Sequence, residues 1–229
     1  MKEVDLAELN DEHFAILRRH MAEVIEIEFA LASEETGRAR PAPALREALM
    51  AVPRHLFVPS ELAIHAYEDR PLPVGFDKTI SQPFMSALMI DLLDLDEESR
   101  VLEVGTGLGY QTAILAMLAA DVFSIEVVEE FATIANARLH QLGHDRVSVR
   151  IGDGSRGWAN EAPFDAILVS AASRDFTPAL AQQLKDGGRM VLPLGEPGSQ
   201  RLVRATRDGN QIFVREIMSV AFTELETVF

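Results

Sequence analysis

The segment Val101-Leu-Glu103-Val-Gly105-Thr106-Gly107-Leu-Gly109-Tyr110 places three glycines at alternate positions directly after a short apolar run. Glycines so placed let a backbone turn tightly and approach a ligand closely. A dinucleotide site has the form G-x-G-x-x-G, so that a helix N-terminus meets a pyrophosphate. Here the third glycine comes one residue early, and Tyr110 stands where it would fall. Glu103, just before the turn, would repel a pyrophosphate. Its carboxylate suits a cofactor with a cationic amino-acid part. S-adenosylmethionine carries an ammonium and a sulfonium, so the charge logic points to it, with Glu103, Gly105, Thr106, Gly107, Gly109 and Tyr110 as its binding turn.

Two further acids fall at the ends of the following apolar runs. Glu126 lies 21 positions after the first glycine, where an acid can accept hydrogen bonds from ribose hydroxyls. Asp153 could accept from the exocyclic amine of adenine, and Gly154 could let the ring come close. Taken alone, Asp153 reads more readily as a loop residue or helix cap. Together, at successive strand ends, the acids outline one site. His140 and His144 have metal-like spacing, but no carboxylate motif completes a site, and they read as a solvated helix end. No metal is expected. Trp158, the single tryptophan, reads as filling a gap at a sheet edge rather than stacking on adenine.

The elements needed to position these residues follow from hydrophobic periodicity. Strands are predicted at 100–104, 121–125, 147–151, 165–170 and 189–193, and helices from the glycine turn to 118, over 129–142 and over 178–184, with Gly187-Gly188 breaking the last. Strands alternating with helices of this length argue for an α/β fold: a mostly parallel, doubly wound, Rossmann-like sheet of the S-adenosylmethionine-dependent methyltransferase class. Residues 202–207 and 212–218 flank Asp208-Gly209 and predict a C-terminal antiparallel hairpin. Upstream, a helix over 11–33 shows an apolar stripe of Phe14, Leu17, Met21, Val24 and Leu31, and a second helix spans 44–51. The stripe is a packing face, toward this domain or, in a homodimer, toward a second subunit. Residues 55–79 read as loops with a helical piece at 61–66. Pro83 suits the first turn of a helix to Leu93. The expected organisation is a single domain over 1–229, with an N-terminal helical extension over 1–51 and the cofactor-binding core over 79–229.

Bulk properties narrow the partners. With 21 basic against 36 acidic residues and a net charge of −15, the chain has no block suited to a phosphate backbone, so nucleic acid is not an expected partner. No run of apolar residues is long enough for a membrane span. The start lacks the basic and apolar stretches of a secretory signal, and the chain has no cysteine; both readings point to the cytoplasm.

With these residues in hand, the chain resembles the protein-L-isoaspartate O-methyltransferases from about Ala48 to about Thr206. The resemblance rests on Val52-Pro-Arg54-His-Leu-Phe57-Val-Pro59, Ala66-Tyr67-Glu68-Asp69-Arg70-Pro-Leu-Pro-Val-Gly75, Thr79-Ile80-Ser81-Gln82-Pro83, the glycine block and Gly152-Asp153-Gly154. It implies methylation of the carboxylate of an isoaspartyl-containing protein or peptide, with Ser81 beside the methyl donor and the acceptor, and with Thr79, Ile80 and Gln82 shaping the same pocket. Read locally, Ser81 caps the helix at Pro83. The family's closing aromatic-valine-proline-leucine segment is altered here, with Glu224 in place of proline, and the N-terminal helix is long. Both departures bear on the acceptor rather than the cofactor. They leave two alternatives: a methyltransferase for a different carboxylate or small molecule, and a non-catalytic cofactor-binding or interaction module.

Overall fold

The computed structural model describes residues 10–227 and divides into two compact units, one ending at Leu88 and the other beginning at Met89. Residues 1–9 of the expected extension lie outside the described residues.

The first unit opens with α1 (Asp11–Leu31). Asn10 caps it, accepting from the amides of Glu12 at 3.1 Å and His13 at 3.2 Å, while His13 Nδ1 accepts from the Asn10 amide at 3.3 Å. Asp11 and Glu12 in the first turn complement the helix dipole. Its buried side is Met21, Ala22, Ile25 and Phe29. The expected stripe is therefore rotated, and Leu31 is 74% exposed. Burying side chains the size of Met21, Ile25 and Phe29 contributes about 1.5–3 kcal/mol each. A short turn, α2 (Ser33–Thr36), ends at Gly37 in the left-handed region. Next, α3 (Pro43–Ala51) packs Leu45 and Leu49 inward, and 3₁₀ turns cover Arg54–Phe57 and Ser60–His65.

The segment expected to be loop then forms a two-stranded antiparallel hairpin, β1 (Leu72–Gly75) and β2 (Lys78–Ile80). Its turn takes Phe76 and Asp77 through φ values of 51° and 54°, a conformation that ordinary side chains rarely adopt and that a sequence does not advertise without glycine or asparagine there. Helix α4 (Pro83–Asp91) follows and crosses the unit boundary. Phe84, in its first turn, meets Phe29 edge-to-face with ring centroids 5.7 Å apart.

The second unit is built on a seven-stranded sheet. In chain order it contains β3 (Arg100–Val104), α5 (Tyr110–Leu118), β4 (Asp121–Glu126), α6 (Glu129–Gln141), β5 (Val147–Ile151), β6 (Phe164–Val169), α7 (Pro178–Ala181), β7 (Leu184–Leu194), β8 (Arg201–Asp208) and β9 (Gln211–Ser219). The strand order is β5-β4-β3-β6-β7-β8-β9. The first five run parallel, whereas β8 and β9 are antiparallel additions. The near-continuous apolar character of β3 and β6 fits strands covered on both faces; Leu102, Val104, Ile167, Val169, Met190 and Leu192 belong to one buried cluster. Trp158 packs against that cluster, edge-on to Phe123 at 5.6 Å, as a gap-filler should.

One expectation is corrected. Gly187-Gly188 do not break a helix reaching residue 184. They lie inside β7, which starts at Leu184, and mark the register shift between Phe164↔Leu184 and Ala166↔Arg189. Gly187 sits at φ 75°, the form a bulge needs. The β8–β9 hairpin pairs Asp208 with Gln211, so Gly209 and Asn210 form its tip, and the Gly209 amide donates to Asp186 Oδ1 at 2.7 Å. Among the described residues, no helix is long and apolar enough to cross a membrane.

Candidate functional site

Chain order and strand order disagree at β3: β4 and β5 lie on one side of it and β6 and β7 on the other. Ligands of open parallel sheets bind at such a switch, beyond the carboxyl ends of the strands. The glycine turn leaves β3 there. Gly105 sits at φ 95°, and a Cβ on it would lie 3.5 Å from that of Ser170, the residue after β6. The Ser170 amide donates to Val104 O at 2.9 Å, so the mouths of β3 and β6 are joined. Around Gly107, at φ 54°, an added Cβ would meet nothing within 4 Å; this is the open point of the turn. Gly109 serves packing, since a Cβ on it would lie 3.3 Å from Ala135 Cβ on α6. Tyr110 is buried as the first residue of α5.

Glu103 is fully buried. Its Oε2 accepts from Thr112 Oγ1 at 2.6 Å and from Ser124 Oγ at 2.6 Å. With the Ser124 proton spent on the carboxylate, Thr106 Oγ1 supplies the proton of its 2.5 Å contact with Ser124 Oγ. The other oxygen, Oε1, is buried without a hydrogen-bond partner. Burial pushes the Glu103 carboxyl up to about 7 despite the two hydroxyl donors. An orphaned carboxylate oxygen at a fully buried position is costly, and it is the acceptor that a ligand ammonium would satisfy. A second orphan, Gln111 Nε2, lies on α5, while Gln111 Oε1 accepts from Ser170 Oγ at 3.2 Å.

Glu126, at the end of β4, accepts from the Gly107 amide at 2.7 Å and from the Val128 amide at 3.0 Å. It therefore braces the open point of the glycine turn, and each oxygen keeps a lone pair for a ligand hydroxyl. Asp153 Oδ1 accepts from the Ser155 amide at 2.9 Å and from Ser155 Oγ at 2.7 Å. The capping reading is thus present, and Oδ2 lies 3.5 Å from Arg156 Nε. A Cβ on Gly154 would come within 2.3 Å of Val104 Cγ1, so that glycine lets the loop lie on β3. Glu103, the glycine turn, Glu126 and Asp153-Gly154 are brought together at the ends of β3, β4 and β5. Among the residues around them, Thr112 and Ser124 were not foreseen: small hydroxyls within apolar stretches read as core fillers until the buried acid they serve is seen.

The other expected residues belong to the first unit. Thr79 and Ile80 are on β2, and Ser81 and Gln82 link it to α4. The helix cap expected from Ser81 comes instead from Asp69, whose Oδ1 accepts from the Phe84 amide at 2.8 Å and whose Oδ2 accepts from Gln82 Nε2 at 2.7 Å. Glu68 meanwhile pairs with Arg70 at 2.6 Å and His65 at 2.7 Å. The Tyr67–Arg70 segment is thus both a surface ion pair and a support for Gln82.

Glu224 lines a cleft of about 500 Å³ in the second unit together with Ser155, Ala172, Arg174, Phe176 and Leu225. Its carboxylate lies 3.0 Å from the Arg174 guanidinium, which Glu196 also approaches at 3.4 Å. The two carboxylates hold the Arg174 guanidinium above its ordinary range. The carboxylate that stands in place of proline is therefore matched by a cation. Since both partners are exposed, Glu224→Gln is expected to leave the thermal midpoint unchanged within scatter, as differential scanning calorimetry would show. His140 Nδ1 lies 3.2 Å from Asp145 Oδ1, and the described residues hold no cluster of three His, Cys, Asp or Glu able to bind a metal.

Fold and site define a Rossmann-like methyltransferase of the S-adenosylmethionine-dependent class. The same fold occurs in a solved protein-L-isoaspartate O-methyltransferase (TM-score 0.77, 24% identity, covering 90% of this chain and 65% of that one). It also occurs in a putative protein-L-isoaspartate O-methyltransferase from Plasmodium falciparum, solved with S-adenosyl-L-homocysteine (TM-score 0.76, 21% identity, covering 93% and 98%). The model of the protein-L-isoaspartate(D-aspartate) O-methyltransferase family matches residues 31–227. A protein-L-isoaspartate O-methyltransferase 1 from Polaromonas sp. is 47% identical over 219 residues, 95% of this chain and 93% of that protein. A protein-L-isoaspartate O-methyltransferase 2 from Syntrophobacter fumaroxidans is 46% identical over 94% of this chain and 88% of its own length. The chain belongs to the protein-L-isoaspartate O-methyltransferase family.

Proposed function

We infer that this chain transfers a methyl group from S-adenosylmethionine to the carboxylate of L-isoaspartyl residues in damaged proteins or peptides. Family membership over nearly the whole chain carries the reading, and the site fits it. When bound, S-adenosylmethionine supplies a methyl group made electrophilic by its sulfonium. Glu103 Oε1 would take the ammonium, Glu126 the ribose hydroxyls, and Asp153 the adenine edge, with Gly105, Thr106, Gly107, Gly109 and Tyr110 forming the turn around them. The acceptor carboxylate is already ionised and nucleophilic near pH 7, so no strong base is required; the chain's part is to position the acceptor and exclude water. One acceptor oxygen gains the methyl group, and no proton moves. The following backbone nitrogen can then attack the ester carbonyl and expel the methoxy group, which leaves with the amide proton as methanol, and the succinimide so formed hydrolyses in part to normal aspartate.

Thr79, Ile80, Ser81 and Gln82 are proposed as the acceptor-contacting segment, with Ser81 at the reacting carboxylate. Ser81→Ala is expected to lower kcat about tenfold while leaving the cofactor Kd unchanged; single-turnover kinetics and calorimetric titration measure the two separately. The function itself is tested by counting base-labile methyl label on matched isoaspartyl and aspartyl peptides. Label on the isoaspartyl peptide alone supports it. No label, with the cofactor bound, overturns it and directs the search to other acceptors. We further propose that the outer side of α1, where Ile16, Ile27 and Leu31 are exposed, meets a second subunit; a monomeric mass in sedimentation equilibrium would refute this.

A further inference from the structure

Between β2 and α4 the chain turns from strand to helix within two residues, and one of them is Ser81. This junction is gripped from two sides. Arg54 is fully buried, yet it spends donors on two backbone carbonyls: Nε on Ala66 O at 2.7 Å and Nη2 on Ser81 O at 2.6 Å. On the other side, Asp69 holds the Gln82 side chain and the Phe84 amide. A cation and an anion, distant from the junction in sequence, thus hold the Ser81 carbonyl, the Gln82 side chain and the Phe84 amide, the three groups that follow the Ser81 side chain along the chain. The Ser81 side chain makes no hydrogen bond with any described residue, so its hydroxyl is left for something else. Burying a guanidinium is expensive, and a strand-to-helix junction needs no charge merely to close. Water or a neutral donor would satisfy two carbonyls.

We propose that Arg54 is a positioning residue for the acceptor-contacting serine: with Asp69 as counterpart, it locks the backbone of Ser81 so that the hydroxyl is aimed before substrate arrives. This rests on the acceptor role given to Ser81 above. Preorganisation of this kind governs turnover, because small displacements of a contacting group are costly in rate.

The test is a double-mutant cycle joined to amide exchange. Arg54→Lys, which retains charge but loses the planar fork, is expected to lower kcat about tenfold with the peptide KM and cofactor Kd unchanged. In the Ser81→Ala background the same substitution is expected to cost nothing further, because Arg54 acts only through Ser81. Hydrogen exchange should quicken over residues 79–84 and stay unchanged over 103–112. Rate losses that multiply, or exchange over 79–84 that does not change, would overturn the proposal. Should the wild-type protein methylate no isoaspartyl peptide, the kinetic arm refutes the functional reading, and the exchange arm still decides whether Arg54 sets this backbone.

Discussion

Replacing Glu103 with glutamine is expected to stabilise the ligand-free protein at pH 8 while weakening cofactor affinity about 100-fold. The two effects share one cause. Glu103 has an ordinary value of 4.5 that burial raises to about 7. Between those values the folded state holds a proton that the unfolded state has released, so stability falls as pH rises from 4.5 to 7 and is level beyond. The full penalty is on the order of 3 kcal/mol, and Glu103→Gln should remove it. Calorimetric unfolding at pH 5 and pH 8 would show the wild-type protein losing stability between them and the variant losing less. Binding runs the opposite way. A cationic ligand pairs with the ionised carboxylate, so wild-type affinity should rise as pH climbs through 7, with protons released on binding below it. The variant should show a flat profile. A variant binding S-adenosylmethionine as tightly as wild type at pH 8 would end the assignment of Glu103 Oε1 as the ammonium acceptor.

Gly154→Ala is expected to cost about 3 kcal/mol of stability, the upper end of overpacking penalties. The added methyl would stand 2.3 Å from Val104 Cγ1, and Val104 is only 1% exposed within the core cluster. It has nowhere to move. Relief should therefore come from trimming the neighbour: Gly154→Ala with Val104→Ala should be less destabilised than the sum of the single changes, as chemical denaturation would measure. Simple additivity would mean that the loop swings away instead. Because Asp153 precedes this glycine, that outcome would also appear as weakened cofactor binding.

The contrast between these two sites and the Ser81 junction shows what a sequence reveals. Strands β3 and β5 were legible to the residue and helix α5 at its C-terminal end, because their periodicity is local and unbroken. The glycine turn and its acids were legible because charge and spacing restrict the ligand. What stayed hidden was long-range or conformationally unusual. Asp69 reaches Phe84 across 15 positions and Arg54 reaches Ser81 across 27, and no local pattern announces either bond. The β1–β2 hairpin turns through Phe76 as well as Asp77, and a bulky aromatic does not signal a tight turn. The Gly187-Gly188 pair was seen as a breaker, which is right in character, but only the partner strand shows that it breaks register rather than a helix. Leu31 was placed on the packing stripe by spacing alone, whereas the burial of Ile25 and Phe29 shows that the core lies a step around α1.

The hairpin tip carries a consequence for the protein's own ageing. Asp208-Gly209 is an exposed aspartyl-glycyl step, the kind of sequence in which a backbone nitrogen, unhindered by a side chain, closes on the preceding carboxyl and begins isoaspartyl damage. That nitrogen is occupied here: the Gly209 amide is donated to Asp186 Oδ1, an acceptor delivered by the bulge in the neighbouring strand. A member of a family named for isoaspartyl residues thus ties up, in a hydrogen bond, the very nitrogen through which one of its own steps would form one.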